Sequence, residues 1–140
     1  MQDVARGMGL DGRIGQKFLH AGPGYGGSCF PKDINALART SQDFASPMQI
    51  IESVIAVNAA RRKKMSEKVI AACGGNVSGK KIAILGVTFK PNTDDIREAP
   101  SLDIVSALQL SGALISAYDP AGMDAAKQCL SDVRWGNSAY

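Results

Sequence analysis

The sequence predicts an α/β protein in which a helical segment precedes part of a parallel βαβ domain. Apolar residues recur at three- and four-residue steps, and multiples of them, from Met48 to Val69, the period of an amphipathic helix. After Gly79 the pattern changes to a short apolar run, residues 80–86 (KKIAILG), which is typical of a buried parallel strand. A second apolar run, residues 113–118 (ALISAY), follows a helical stretch, so that strand, helix and strand form one βαβ unit.

The N-terminal half is predicted to consist of helices around one glycine-rich loop. Residues 2–8 indicate the end of a helix, and residues 12–31 form the loop, where glycine permits positive φ and close approach to a ligand. A short amphipathic helix is expected over residues 31–44, and a longer one over residues 46–73. The glycine pair that begins at Gly74 is expected to end the long helix. Its apolar stripe is expected to pack within the chain, although it could also pack on a partner subunit.

The C-terminal half is predicted to be the start of a doubly wound sheet. A loop over residues 87–100 leads to the helix of residues 101–110, and a further helix is expected over residues 123–130. Two strands alone do not make a stable sheet. We therefore expect the chain to stop within this domain and to be poorly stable by itself. The expected division is residues 1–76 and 77–140.

Composition and charge favour a soluble globular protein. Apolar residues make up 45% and charged residues 21% of the chain. Sixteen Lys and Arg against 13 Asp and Glu give a net charge of +3, which suits an anionic ligand but is too small to predict nucleic-acid binding. The basic run at residues 61–64 is interpreted as a solvated helix face.

Cysteine usage and hydropathy predict a cytoplasmic protein. Cys29, Cys73 and Cys129 match no metal-binding spacing and are an odd number for a disulfide framework, so reduced thiols are expected. No apolar run approaches the roughly 20 residues that a membrane span needs. The N-terminal residues have no apolar core of a secretory signal.

The strongest candidate site is the string GPGYGGSCFPKD, residues 22–33, here named the cysteine loop. Cys29 follows a flexible glycine turn and precedes a predicted helix start. The positive end of that helix, with Lys32 nearby, should favour a nucleophilic thiolate. Asp33 lies four residues after the cysteine, where it could orient a water molecule. A glycine turn with an incidental cysteine would explain a shorter motif, but the whole string favours a catalytic cysteine.

The cysteine loop closely resembles the active-site loop of the UDP-glucose/GDP-mannose dehydrogenase family, whose usual form is GxGxGGxCxPKD. Members of this kind oxidise a sugar-nucleotide alcohol to the acid in two hydride transfers to NAD. The resemblance implies that Cys29 adds to the aldehyde intermediate as a thiohemiacetal, which is oxidised to a thioester and hydrolysed with help from Asp33. It also implies that Lys32 and the Cys29 backbone lie close to NAD, and that residues 77–140 begin a Rossmann-like UDP-binding domain.

The segment before the cysteine also matches the family. Residues 11–18 (DGRIGQKF) resemble an arm whose arginine, here Arg13, reaches the sugar-nucleotide site of the neighbouring subunit, which implies a homodimer or a higher homo-oligomer. A surface charge at a turn is the alternative for this arginine. The resemblance places His20, Tyr25 and Gly26 along the bound sugar nucleotide, with no catalytic role for the histidine.

The loop after the first strand carries the remaining candidates. No glycines follow Gly86 in the GxGxxG positions, so this loop is not a dinucleotide fingerprint. Its cations, Lys90 and Arg97, can bind phosphate. FKPNTDDIREAPS resembles the family's loop at the start of the UDP-binding domain. This implies that Phe89 and Lys90 contact the sugar nucleotide and that Arg97 reaches the cofactor pyrophosphate. Asp119, in the family's YDP, is expected to be structural.

The resemblance implies a UDP-glucose 6-dehydrogenase activity that yields UDP-glucuronate, for surface polysaccharide. A GDP-mannose dehydrogenase is the nearest rival, which Tyr25 disfavours. A UDP-N-acetylmannosamine dehydrogenase fits less well, since its cysteine is not normally followed by PKD. A non-catalytic dimerisation or nucleotide-binding module is the alternative from another class. Because no N-terminal NAD domain with a glycine fingerprint is present, the chain alone is expected to be inactive.

Overall fold

The computed structural model describes all 140 residues as five helices and a three-stranded parallel sheet. The predicted α/β class, with helices first and a parallel sheet after them, is confirmed. In chain order the elements are α1 (Gln2–Gly9), α2 (Phe30–Asp43), α3 (Gln49–Ala72), β1 (Lys81–Leu85), α4 (Pro100–Leu110), β2 (Leu114–Tyr118), α5 (Met123–Cys129) and β3 (Val133–Trp135).

The long helix α3 packs within the chain along one face and leaves another apolar face exposed. Near its C-terminal end, Val69 and Ile70 pack against the hydrophobic core. Near its N-terminal end, Ile50 is 80% exposed and Val57 is also exposed. The residues of the predicted stripe from Ile51 to Val69 are half-buried, whereas Ile50 and Val57 belong to a second apolar face that the prediction did not include. None of the five helices combines the length and apolar character that crossing a membrane requires.

The sheet is covered on one face only. The strands lie in the order β1-β2-β3, so β2 is central and β1 is an edge strand. Ile82 pairs in register with Ile115, and both face the packed side, whereas Leu85 and Leu114 are exposed. The prediction of a buried strand is thus wrong for β1. Alternate side chains of a strand point to opposite faces of the sheet, and no helix covers one of these faces at β1.

The third strand, β3, was not predicted. It pairs in parallel with β2 through Val133 and Trp135 and has only three residues, VRW. A stretch this short, with a central Arg134, has no apolar run by which to recognise it. This segment is a strand because it pairs with β2, which is a tertiary contact.

The hydrophobic core is small and lies between the sheet and α4. Val77, Val87, Val105 and Leu108 are its largest fully buried side chains. Only 21 of 140 residues are buried, so little apolar surface is available to offset the conformational entropy lost on folding. The expectation of low stability for a polypeptide of these residues alone stays a prediction.

Asp119 ties the end of β2 to the segment between β1 and α4, residues 86–99, here named the crossover loop. Its buried carboxylate accepts hydrogen bonds from the backbone N–H groups of Val87 (2.8 Å) and Thr88 (3.4 Å), and from those of Ala121 (2.8 Å) and Gly122 (2.7 Å). Burial raises the pKa of Asp119, but these hydrogen bonds outweigh burial and leave the pKa below its ordinary value. The carboxylate therefore fixes where the crossover loop begins.

Replacing this carboxylate should weaken the fold. Asp119→Asn is expected to lower the free energy of unfolding at neutral pH by about 2 kcal/mol, because an amide has one acceptor oxygen and turns an NH2 group toward N–H donors. The folded-state pKa is lowered, so this contribution is present above the ordinary carboxyl pKa and is lost as the pH falls through the folded-state value. Urea denaturation of both proteins between neutral and acid pH measures the difference.

The matched control is Asp124→Asn, since Asp124 is exposed and pairs only with Lys127. It should change the free energy of unfolding by less than about 0.5 kcal/mol. Equal stability of Asp119→Asn and wild type at neutral pH would mean that the four hydrogen bonds contribute nothing net.

Candidate functional site

Cys29 and Asp33 lie together at the exposed start of α2. Cys29 is the N-cap residue, and its Sγ lies 3.6 Å from the Ser28 Oγ. The N–H of Asp33 donates to the Cys29 carbonyl at 2.9 Å, which is the first turn of the helix. Residues four apart on a helix share one face. The Lys32 Nζ lies 3.6 Å from Asp33 Oδ1, so a thiol, a cation and a carboxylate occur together in the first turn of α2.

Close packing against the crossover loop fixes the glycines before the cysteine. The N–H of Gly27 donates to the Arg97 carbonyl at 2.8 Å. A Cβ on Gly26 would lie 2.1 Å from the Glu98 carbonyl oxygen, and one on Gly27 would lie 2.8 Å from the Phe89 ring. Glycine is therefore required by space at both positions, and at Gly27, with φ of +91°, also by conformation. Phe89 packs on the cysteine loop.

Helix α3 holds the other end of the cysteine loop. The Asn58 side chain accepts from the Tyr25 N–H at 2.9 Å and donates to the Tyr25 carbonyl at 3.2 Å. The Arg61 Nε donates to the Gly22 carbonyl at 3.0 Å. These two side chains, three residues apart, face the loop from one side of α3.

Arg62 is the functional candidate that sequence reasoning missed. Its side chain is only 12% exposed, and its Nη2 donates to the carbonyls of Tyr25 (2.7 Å) and Glu98 (2.6 Å). Its Nη1 donates to Asp103 of α4 at 2.8 Å. The prediction of a solvated face for residues 61–64 is wrong for this arginine. Its place four residues after Asn58 was the available signal.

Arg97 is already paired with a carboxylate. Its Nε and Nη2 donate to the two carboxylate oxygens of Asp95 at 2.9 and 2.7 Å. The hydrogen bonds from Arg97 lower the pKa of Asp95 to about 2. Asp95 in turn raises the pKa of Arg97, chiefly by hydrogen bonding.

A polar concavity of about 490 Å³ lies beside the cysteine. Lys32 and Arg97 contribute cations to it, and Pro31 is its one apolar side chain. Such a surface suits the pyrophosphate of a dinucleotide better than its rings. Lys90 lies with its Nζ 5.0 Å from the Phe89 ring centroid, a cation–π distance. The remaining lining residues of the concavity are Gly27, Ser28, Asn35 and Glu98.

His20 and Tyr25 lie on a different side of the loop. Both line a groove of about 860 Å³ along the exposed apolar face of α3. The Tyr25 ring also packs edge-on against Phe30, with centroids 4.8 Å apart, and burial raises the pKa of its phenol. The structure therefore does not bring these two side chains into the concavity lined by Lys32 and Arg97.

Arg13 makes no hydrogen bond to the cysteine loop. Its guanidinium donates to both carboxylate oxygens of Asp11, at 3.0 and 2.6 Å, and its side chain is 90% exposed. This pairing raises the pKa of Arg13 and lowers that of Asp11. No group of three or more His, Cys, Asp or Glu side chains is arranged to hold a metal ion.

Comparison with known proteins gives matches over nearly the whole chain. Residues 1–60 match the central domain of the UDP-glucose/GDP-mannose dehydrogenase family, and residues 83–140 match its UDP binding domain. A UDP-glucose 6-dehydrogenase of Rhizobium meliloti is 56% identical over all 140 residues. That relative is matched over 32% of its own length, so this chain spans about a third of the relative.

Solved structures give the same picture. A UDP-glucose dehydrogenase from Pyrobaculum islandicum superposes with a TM-score of 0.89 at 35% identity, covering 97% of this chain and 32% of that protein. A GDP-mannose dehydrogenase from Pseudomonas aeruginosa superposes with a TM-score of 0.74 at 21% identity, covering 97% of this chain and 33% of that protein. The second match shows a shared fold only.

The glycine packing predicts a sharp difference between two alanine substitutions. Gly26→Ala is expected to cost about 1–3 kcal/mol of stability, because its Cβ meets backbone that must shift. Gly22→Ala is the control, since no atom lies within 4 Å of a Cβ there. Urea denaturation and limited proteolysis of the loop measure the effects. Equal behaviour of the two variants would show that the two loops do not pack as described.

Proposed function

Since this chain belongs to the UDP-glucose/GDP-mannose dehydrogenase family, we propose that it is the cysteine-bearing part of an NAD-dependent UDP-glucose 6-dehydrogenase. The observation that supports this most is the exposed Cys29 at a helix N-terminus, with Asp33 one turn away and cations beside it. The names of the relatives at 56% and 35% identity support UDP-glucose as the substrate.

The cysteine is the nucleophile of the second oxidation in this proposal. Its sulfur adds to the aldehyde carbon of the half-oxidised sugar, and the aldehyde oxygen takes a proton as the thiohemiacetal forms. The carbon stays bound to Cys29 as a thioester once it has been oxidised. Water then attacks the thioester, which releases UDP-glucuronate and returns the thiol. Asp33 orients that water and takes its proton.

NAD, when bound, would accept one hydride in each of the two oxidations, so that two molecules of NAD are reduced for each UDP-glucose. Lys32, Arg97 and the Cys29 backbone are the groups of this chain that we propose lie against it. The polar concavity with its two cations fits an anionic part of the cofactor. The GxGxxG string at residues 22–27 follows no strand, so it is not the strand–turn–helix fingerprint of a dinucleotide-binding domain. We therefore propose that these 140 residues supply only part of a dinucleotide site.

The sugar nucleotide is proposed to lie along both loops. Lys90 and Phe89 contact it from the crossover loop, and His20, Tyr25 and Gly26 contact it from the cysteine loop. Arg13 acts on the neighbouring subunit's site, so the working protein is a homodimer or a higher homo-oligomer. The exposure of this arginine and the uncovered apolar face of α3 support such an assembly.

Two further parts of the proposal concern organisation and location. Residues 1–76 form a central helical unit with the cysteine loop, and residues 77–140 form the first half of a UDP-binding unit. The protein is proposed to work in the cytoplasm in the synthesis of UDP-glucuronate for polysaccharide. The three free cysteines fit a reducing compartment.

Labelling of Cys29 tests one alternative, and an assay of oxidation tests the other. A GDP-mannose dehydrogenase should have Cys29 protected from iodoacetamide by GDP-mannose, whereas we expect protection by UDP-glucose. A non-catalytic nucleotide-binding or dimerisation module should show nucleotide binding without oxidation. Mass spectrometry of Cys29, with exposed Cys129 as the internal reference, reads out protection.

Cys29→Ser, in the protein at its natural length, is expected to lower NADH formation by at least about a hundredfold, because a serine hydroxyl is a far weaker nucleophile. UDP-glucose binding, measured by calorimetry, should be unchanged. Cys129→Ser is the matched control and should keep wild-type turnover. A Cys29→Ser protein that still forms two NADH for each UDP-glucose would remove the cysteine from the mechanism.

A purified polypeptide of these 140 residues is expected to form no NADH from UDP-glucose and NAD above the buffer rate. The reason is that it carries only part of a dinucleotide site. Absorbance at the NADH band measures this, with the natural-length protein as the positive control. Turnover by the polypeptide alone would show that the residues described here hold NAD without further help.

A further inference from the structure

We propose that Arg62 is a positioning residue for Cys29. The guanidinium of Arg62 fixes the spacing between the cysteine loop and the crossover loop. The catalytic consequence rests on the proposed function, whereas the contacts themselves do not. Arg62 does not line the concavity beside the cysteine. It lies behind the loop, in a cavity of about 440 Å³ between α2, α3 and α4, so it acts through the backbone of other residues.

The guanidinium group of Arg62 contacts both loops and α4. A single nitrogen, Nη2, donates to one carbonyl from each loop, that of Tyr25 at 2.7 Å and that of Glu98 at 2.6 Å. The other terminal nitrogen donates to Asp103 of α4 at 2.8 Å. A planar fork holds such partners in fixed directions, and an ammonium group on a flexible stem does not.

Glu98 and its neighbour Arg97 connect Arg62 to the residues before Cys29. Glu98 has φ of +54°, a left-handed conformation that costs a non-glycine residue energy and persists only when neighbours hold it. Its carbonyl, held by Arg62, is the surface on which Gly26 packs. The adjacent Arg97 carbonyl accepts from Gly27 at 2.8 Å, two residues before Cys29.

The crossover loop is held at its start by a group other than Arg62. The start of the crossover loop is held independently, because Asp119 binds the N–H groups of Val87 and Thr88. Phe89 and Lys90 follow directly after these anchored residues. Loss of the Arg62 fork should therefore shift Cys29 relative to the sugar nucleotide, while the anchored start of the crossover loop stays in place.

The test is Arg62→Lys in the protein at its natural length, with Arg39→Lys as control, since Arg39 is exposed and pairs only with Asp43. We expect kcat with UDP-glucose to fall at least about tenfold and KM to change by a smaller factor, since Arg62 also holds the carbonyl of Tyr25, a proposed substrate contact. We also expect NADH formed per UDP-glucose to fall from two toward one, with aldehyde captured by a hydrazine trap, because only the second oxidation uses Cys29. The control should match wild type.

A second variant covers the case in which Arg62→Lys does not fold. Asp103→Asn removes one charged partner of Arg62 from a half-exposed position on α4. It should show the same pattern with a smaller fall in kcat, at least about threefold. Wild-type kcat and stoichiometry in whichever variant folds would overturn the positioning role. So would a loss of activity explained wholly by weaker UDP-glucose binding.

Failure of the proposed function itself gives a different result. If the wild type forms no NADH from UDP-glucose, the substrate assignment is wrong, and labelling decides the role of Arg62. The rate of iodoacetamide labelling of Cys29 relative to Cys129 should then still change more than about threefold in Arg62→Lys. An unchanged ratio would overturn the proposal.

Discussion

The contact between the cysteine loop and the crossover loop is the constraint on which the candidate site depends. It combines one backbone hydrogen bond, from Gly27 to the Arg97 carbonyl, with glycine packing too close for any side chain. Neither loop has a strand or a helix of its own at this point. Their relative position is therefore set by groups outside them, and Arg62 and Asp119 supply these groups with charge-assisted hydrogen bonds.

The buried carboxylate of Asp119 and the nearly buried guanidinium of Arg62 fix the position of the loops in different ways. Asp119 has no cationic partner in the fold and is held wholly by backbone N–H groups, so it fixes the backbone of its own surroundings. Arg62 reaches across three elements and satisfies carbonyls that no helix or strand uses. Burying a charge is favourable only when it is hydrogen-bonded in this way, which makes both sites sensitive to conservative substitution.

Local patterns were enough to predict most of the fold. The periodicity of α3, the glycine pair after Ala72 and the apolar runs of β1 and β2 are local signals, and the predicted boundaries agree with the structure to within about three residues. The uncovered face of the sheet and the three-residue β3 could not be predicted, because both depend on which elements meet in space.

The candidate site could likewise be predicted only where it depends on local sequence. The neighbourhood of Cys29 and Asp33 follows from helical spacing, whereas the burial of Arg62 inside a run of four basic residues depends on tertiary contacts.

The anchors of the cysteine loop have a consequence for the order of folding. The residues that hold Tyr25 come more than thirty positions later in the chain, at Asn58 and Arg62, and the Glu98 carbonyl lies a further thirty-six positions beyond Arg62. Such distant contacts close large loops and so form late, after local helices. During synthesis the thiol emerges well before the groups that fix its place. The nascent chain thus carries a mobile cysteine through the period when α3 and α4 assemble, and its reactivity in that period is that of an ordinary exposed thiol.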